Sequence, residues 1–225
     1  YSNVIISKDH STGAAGILVN EITGTNAINV FPGAAGAITT EDIDKAEEAI
    51  KNSSIFLTQL EAPKDVVTYA LKKANDLNVK TILNPAPAAE IDSSLFPLID
   101  YFTPNETEAS FYVDQDVVTY EDAEKAASQL LDKGIKNVVI TLGEKGAYFA
   151  NSEEKFSLPI ANLSNPVVDT TGAGDAFNAG LAAALTEGKN IKDSLIFASA
   201  TAGLSTTKIG TANSMPSREE IDRIL

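Results

Sequence analysis

The sequence predicts an α/β fold: a mainly parallel, doubly wound sheet with helices on both faces, preceded by a small β lid. Three observations carry that expectation. From about Thr39 onward, short apolar strand-like runs alternate with amphipathic helical runs, the pattern of parallel strands joined by crossover helices. Before it, residues 1–38 hold short β-type runs separated by polar, glycine-containing turns, as in a small hairpin-rich sheet. The 225 residues, 44% hydrophobic and 21% charged, suffice for one globular domain with a small appendage.

Taken in order, "NVIIS", "AAGILVN" and "NAINVF" are the lid strands, with "DHSTG", "EITGTN" and "PGAAG" as connections. "TTEDIDKAEEAIKN" has a capping threonine and early acids, so it predicts a helix, and "SIFLTQLE" follows as a buried-type strand. "PKDVVTYALKKANDLN" is a helix with proline at its first position; "VKTILNPAPA" is a strand and turn. "IDYFTPNE" is a short strand, "YEDAEKAASQLLDKG" a helix closed by glycine, and "KNVVITLG" and "GAYFAN" two further strands. Helices are expected near 175–186 and 191–206, and "SREEIDRIL" ends the chain as a capped helix. The chain opens at Tyr1 without a methionine, inside a strand-like run, so its start is expected to be missing.

The formal net charge is −14, with no basic block against it, which argues against nucleic acid or an anionic membrane surface as partner. An anionic ligand must then be attracted by backbone amides, a helix end or a metal ion. Without cysteine there are no disulfides and no thiolate chemistry, and a reducing, cytoplasmic setting fits. No apolar run reaches membrane-spanning length. His10 is the one histidine, a turn residue between Asp9 and Ser11, so zinc and serine–histidine chemistry lack their ligands. A Walker-type phosphate loop is absent, and "GAGDAF" lacks the third glycine of a dinucleotide fingerprint.

In open α/β sheets ligands bind beyond the carboxyl ends of the strands. Those ends carry Gln59, Glu61, Asn84, Asn105, Glu106, Glu108, Thr141, Gly143 and the run Asp169 to Asp175. Taken singly, each is accounted for by a turn or a helix cap. "VVDTTGAGDAFNAG" (167–180) asks for more, because a carboxylate, Asp175, stands where a glycine-rich helix start invites an anion. A tight turn with a first-turn acid on the helix dipole explains one acid and two glycines. The alternative is an anion hole of bare amides at Gly172, Ala173 and Gly174 beside a base, which phosphoryl transfer to an alcohol needs. The stretch alone leaves both open.

That stretch resembles the signature of the ribokinase-like carbohydrate kinases. "FLTQLE" (56–61), "ILNPAPA" (82–88), "FTPNETEA" (102–109), "VVITLGEKGAY" (138–148) and "KIGTANSMPSREEI" (208–221) match the same family in the same order. "STGAAGILVN…GTNAINVFPGAAGAIT" resembles the later part of its β lid, so the resemblance runs along the whole chain. It implies a partial lid over 1–38 and a nucleotide- and substrate-binding domain over 39–225. It also implies that the family's first strands and Gly-Gly-rich sugar-binding turn precede this chain. Where the family often has "PGAN", this chain has "PGAA" (32–35), which loses the asparagine's local hydrogen bonds.

The resemblance implies roles residue by residue. Asp175 matches the base that deprotonates the sugar's primary hydroxyl, with Gly172, Ala173 and Gly174 as the anion hole, and Glu61 an acid on the sugar. Asn105 and Glu108 match a pair that organises Mg²⁺, largely through water, with the nucleotide phosphates. Thr141, Leu142, Gly143, Glu144, Lys145 and Gly146 match a turn against adenosine, and Ser199 a position beside the adenine. A monovalent-cation site for K⁺ would take side-chain oxygens from Asp169 and Ser214 and carbonyls from Thr171, Ser205, Lys208 and Gly210. The activity implied is ATP-dependent phosphorylation of D-ribose at the 5-hydroxyl. The alternatives are another sugar or nucleoside kinase of the family, or a truncated fragment that binds nucleotide without catalysis. A homodimer through the lid is also implied.

Overall fold

The computed structural model describes residues 3–19 and 26–225. The turn expected at "EITGTN" lies almost wholly outside them, as do Tyr1 and Ser2. Two strands, β1 (Ala14–Val19) and β2 (Asn26–Phe31), form a small antiparallel sheet in which Ala14 faces Phe31 and Val19 faces Asn26. Asn3–Ser7, expected as a strand, is not one: it joins no sheet among the described residues, and Ile6 is 89% exposed. β propensity without a partner does not make a strand.

After a 3₁₀ turn at Gly33–Ala37 the chain enters α1 (Thr40–Lys45) and α2 (Glu47–Lys51). The carboxylate of Asp42 accepts from the N–H and hydroxyl of Thr39 and so caps the entry; the expected single helix is divided at Ala46. There follow β3 (Ile55–Thr58), α3 (Lys64–Asp76), β4 (Lys80–Leu83), β5 (Tyr101–Phe102), α4 (Glu106–Val113) and α5 (Tyr120–Asp132). Pro63 is the N-cap of α3, one place before the expected first position. Then come β6 (Asn137–Thr141), β7 (Ala147–Asn151), β8 (Lys155–Leu158), α6 (Ala173–Thr186), α7 (Ile191–Ser205) and α8 (Arg218–Asp222). Val167 and Val168, before the glycine-rich turn, belong to no strand and are exposed.

The large sheet has the order β3-β4-β5-β6-β7-β8, parallel through β6 and antiparallel for the last two pairs. Alternate side chains sort to opposite faces, as a pleated strand requires. Leu83, Phe102, Val138, Ile140 and Tyr148 pack in one core with residues of α3, α4 and α5. Ile82, Val139, Ala147 and Phe149 pack in the other with Phe177, Leu181, Leu195 and Ala198 of α6 and α7. Crossovers advancing in one direction stack their helices on one face. The second face is therefore covered by the α6–α7 pair, which brings the N-terminus of α6 to the sheet.

The two ends of the sheet differ. At the amino ends, Asp100 accepts from the Thr81 N–H at 2.8 Å and from the Lys136 ammonium at 2.8 Å, and Asn137 donates to its carbonyl. Those polar groups satisfy one another, which is a structural use. The carboxyl ends are less closed.

Candidate active site

At the carboxyl ends, β5 and β6 continue into a single bridge between Asn105 and Thr141, with the Thr141 N–H donating to Pro104 at 3.0 Å. Asn105 is the N-cap of α4. Its side-chain oxygen accepts from the Glu108 N–H at 2.8 Å, and the Glu108 carboxylate accepts from the Asn105 N–H at 2.8 Å. Glu108 is buried; desolvation pushes its carboxyl up, with the Asn105 N–H pulling the other way. The pair is thus a reciprocal helix cap, and each side chain keeps one polar atom outside those two bonds.

Beside it, Thr141 to Gly146 form a tight turn. Gly143 has φ +54° and Gly146 φ +103°, and Leu142 donates to the Gly146 carbonyl at 2.8 Å. A Cβ on Gly146 would lie 2.0 Å from the Leu158 carbonyl, so only glycine fits there. Lys145 donates its ammonium to the Val118 carbonyl at 2.8 Å, and the Tyr120 hydroxyl donates to the Lys145 carbonyl. Glu144 is exposed, and the turn is held at its back by residues flanking the start of α5.

The second group of candidates lies at the start of α6. Gly172, at φ +77°, is its N-cap, and a Cβ there would meet Thr211 at 3.3 Å. The Ala173 N–H donates to Thr170 at 3.1 Å. The N–H groups of Gly172, Gly174 and Asp175 have no acceptor among the described residues. Nothing lies within 4 Å of where a Gly174 Cβ would stand. The Asp175 carboxylate is exposed next to these donors. The arrangement is a helix start with unpaired amides, open space in front and a carboxylate at its rim.

Behind it the 169–171 segment is tied to the 206–214 loop. Val168 and Asp169 both donate to the Thr206 carbonyl, at 2.7 and 3.1 Å. The Asp169 carboxylate accepts from the Thr171 N–H at 2.9 Å and the Gly210 N–H at 3.0 Å. Thr171, through its side chain and N–H, and the Gly210 N–H hold this carboxyl down at about 2. Ser214 is buried and donates to Thr211; Lys208 donates its N–H to Ser205 and its ammonium to Glu220.

The candidates therefore fall into two groups that the structure brings together: Asn105 with Thr141 and its turn, and Asp169 to Asp175 with Ser205, Lys208, Gly210 and Ser214. Glu61 lies exposed just beyond β3, and Ser199 half-buried on α7; neither makes a hydrogen bond to another candidate. Two residues escaped the sequence reading. Thr103, just past β5, donates its hydroxyl to the Asn178 side-chain oxygen at 2.7 Å, and the Asn178 amide donates to the Gly174 carbonyl at 2.9 Å. An asparagine on the apolar side of "DAFNAGL" was the available signal. Among the described residues no cluster of three or more Asp, Glu or His side chains could hold an ion by itself.

Residues 1–218 match the pfkB family of carbohydrate kinases, and the chain belongs to that family. It is 39% identical to the ribokinase of Haemophilus influenzae over 93% of its own length and 67% of that protein. It is 38% identical to the bifunctional ribokinase/ribose-5-phosphate isomerase A of Fructilactobacillus sanfranciscensis, over 99% of this chain but 41% of that one. The structure of Arabidopsis thaliana ribokinase complexed with ribose and ATP superposes with a TM-score of 0.88 at 32% identity, over 96% of this chain and 70% of that one.

Proposed function

We propose that this chain acts as an ATP-dependent sugar kinase that phosphorylates D-ribose at its 5-hydroxyl. The observation that carries the reading is the start of α6, where the unpaired N–H groups of Gly172, Gly174 and Asp175 stand beside the Asp175 carboxylate. Asp175 takes the hydroxyl proton as the sugar oxygen bonds to the γ-phosphorus and the bond to the ADP oxygen breaks. The amides hold charge on the transferring group. Glu61 orients the sugar. The turn Thr141 to Gly146 and Ser199 flank the nucleoside, with Gly143 leaving the backbone bare.

The donor sets fit both expected cations. Mg²⁺ keeps most of its waters and is bound largely through phosphates, so the spare Glu108 oxygen would accept from its waters while the Asn105 amide would donate to a phosphate oxygen. Bound there, it neutralises phosphate charge. K⁺ takes oxygens only, and Asp169, Ser214 and the carbonyls of Thr171, Ser205, Lys208 and Gly210 supply them behind the anion hole. A cytoplasmic setting, where ATP is at hand, accords with this reading, and no helix among the described residues is long and apolar enough to cross a membrane. The small sheet exposes Leu18 (74%) and Phe31 (61%) on one face, an apolar surface suited to a second lid in a homodimer.

The test is ADP release from ATP–Mg²⁺ with D-ribose, 2-deoxy-D-ribose and a nucleoside compared in parallel. Ribose-dependent ADP release supports the reading. Nucleotide binding without turnover on any acceptor would replace it with the binding fragment.

A further inference from the structure

The carbonyl of Gly174 and the N–H of Asp175 belong to one rigid peptide unit. At its carbonyl end this unit accepts from the Asn178 side-chain amide at 2.9 Å; at its other end the N–H has no acceptor among the described residues, beside the open space where a Gly174 Cβ would stand. The Asn178 oxygen in turn accepts from the Thr103 hydroxyl at 2.7 Å. Thr103 is anchored to the sheet, its N–H donating to the Leu83 carbonyl at 3.1 Å. Thr103 and Asn178 are both 3% exposed. Every donor in the series points the same way: Thr103 hydroxyl to Asn178 amide, Asn178 amide to Gly174 carbonyl, and the peptide's own N–H outward.

A buried asparagine is a poor helix residue, and a solvent-free amide is costly unless bonded. Hydrogen bonds in series polarise one another. A bond to a peptide's carbonyl therefore strengthens its N–H as a donor and fixes the plane in which that N–H points. We propose that Asn178, held by Thr103, is a positioning residue for the anion hole. It orients and polarises the Gly174–Asp175 peptide toward the transferring phosphoryl group, and sets the backbone of the residue that carries the base. The same relay joins the anion hole to the β5 end, two residues before Asn105. The inference rests on the kinase reading for its catalytic meaning, and on the hydrogen bonds alone for its effect on the peptide.

Losing a whole oxyanion donor costs about 10²–10³ in kcat. Weakening and misaligning one should cost less, about tenfold for Asn178→Leu and about threefold for Thr103→Val. Ribose KM should stay within about twofold of its starting value, because the peptide faces the phosphate. Thr103→Ser should restore turnover, and the double variant should be no slower than Asn178→Leu, since both break one series. In the ¹⁵N-labelled full chain without nucleotide, the Asp175 N–H resonance should move upfield in both single variants, and titration with inorganic phosphate should show weaker binding at that amide.

A purely structural pair would lower the melting temperature while leaving kcat and the Asp175 resonance unchanged, which would overturn the proposal. Additive losses in the double variant would do the same. If Asn178→Leu does not fold, Thr103→Val and Thr103→Ser carry the same readouts. An unaltered chain that binds no ATP–Mg²⁺ would remove the kinase reading, and the amide resonance would still decide the relay.

Discussion

Replacing Asp175 with asparagine separates the two roles that a carboxylate can have at this helix start. The side chain is exposed and accepts no hydrogen bond among the described residues, so its structural contribution is its charge on the N-terminal dipole of α6. That is about 0.3–1 kcal/mol. For a domain of this size the melting temperature moves about 2–4 °C per kcal/mol, so Asp175→Asn should lower it by no more than about 4 °C. The backbone N–H of residue 175 and the open space before Gly174 survive the change, so nucleotide affinity should hold. Turnover should not. A positioned base is worth about 10²–10⁴ in rate, and asparagine cannot take the proton. Steady-state ADP release with saturating ribose and ATP–Mg²⁺, with a melting curve on the same preparation, gives both numbers. Turnover within about threefold of the unaltered enzyme, at a slightly lower melting temperature, would falsify the assignment and leave Asp175 as a helix-start acid.

Four further outcomes are expected. Gly174→Ala should fold normally, because its Cβ meets nothing within 4 Å, yet slow turnover by filling the space before the amides. Gly146→Ala, at φ +103° with its Cβ 2.0 Å from the Leu158 carbonyl, should cost at least about 1–3 kcal/mol of stability by thermal melts. Glu108→Gln keeps an acceptor for the Asn105 N–H, so the cap should persist while the Mg²⁺ concentration needed for half-maximal rate rises. Asp169 is held at about 2, below its ordinary 3.8, so its stabilising effect is full above about pH 4 and lost as pH falls toward 2; Asp169→Asn should flatten that acid limb and abolish K⁺ stimulation. An unchanged acid limb, or K⁺ stimulation that survives, counts against the Asp169 placement.

The alternation of strand and helix from β3 to β6 was readable because the parallel strands are short apolar runs and the helices between them open on recognisable residues, Pro63 before α3, Asn105 before α4 and Thr119 before α5. The α6 start was readable for a related reason: glycines, an acid and an apolar run are adjacent in sequence, so chemistry and local geometry share one stretch. Asn3–Ser7 misled because a strand is defined by its partner, which lies outside the run itself. The tie behind the α6 start has no local signal either, since Val168 and Asp169 both donate to the Thr206 carbonyl, 38 residues from Val168 along the chain. Thr103 and Asn178 were hidden because their meaning lies in a contact spanning 75 residues, and neither residue belongs to a local pattern.

A chain with a formal charge of −14 is an unlikely host for a polyphosphate by charge count alone. In the proposed reading the attraction lies in groups that the count omits. Backbone N–H groups carry partial positive charge at a helix start without any ionised side chain. Because they are fixed, they need no reorganisation as charge develops, whereas a lysine would have to be held in place against its own rotamer entropy. Neither lysine nearest the candidates is offered to the open space: Lys145 is spent on the Val118 carbonyl and Lys208 on Glu220. The local field at the α6 start is thus made of oriented amides, with carboxylates around it that favour bound cations. Such a site binds a bare phosphate more weakly than a phosphate that brings its metal. Binding of ATP should therefore fall steeply when Mg²⁺ is chelated. ATP affinity that ignores EDTA would mean that the amides alone suffice, and that Asn105 and Glu108 are only a helix cap.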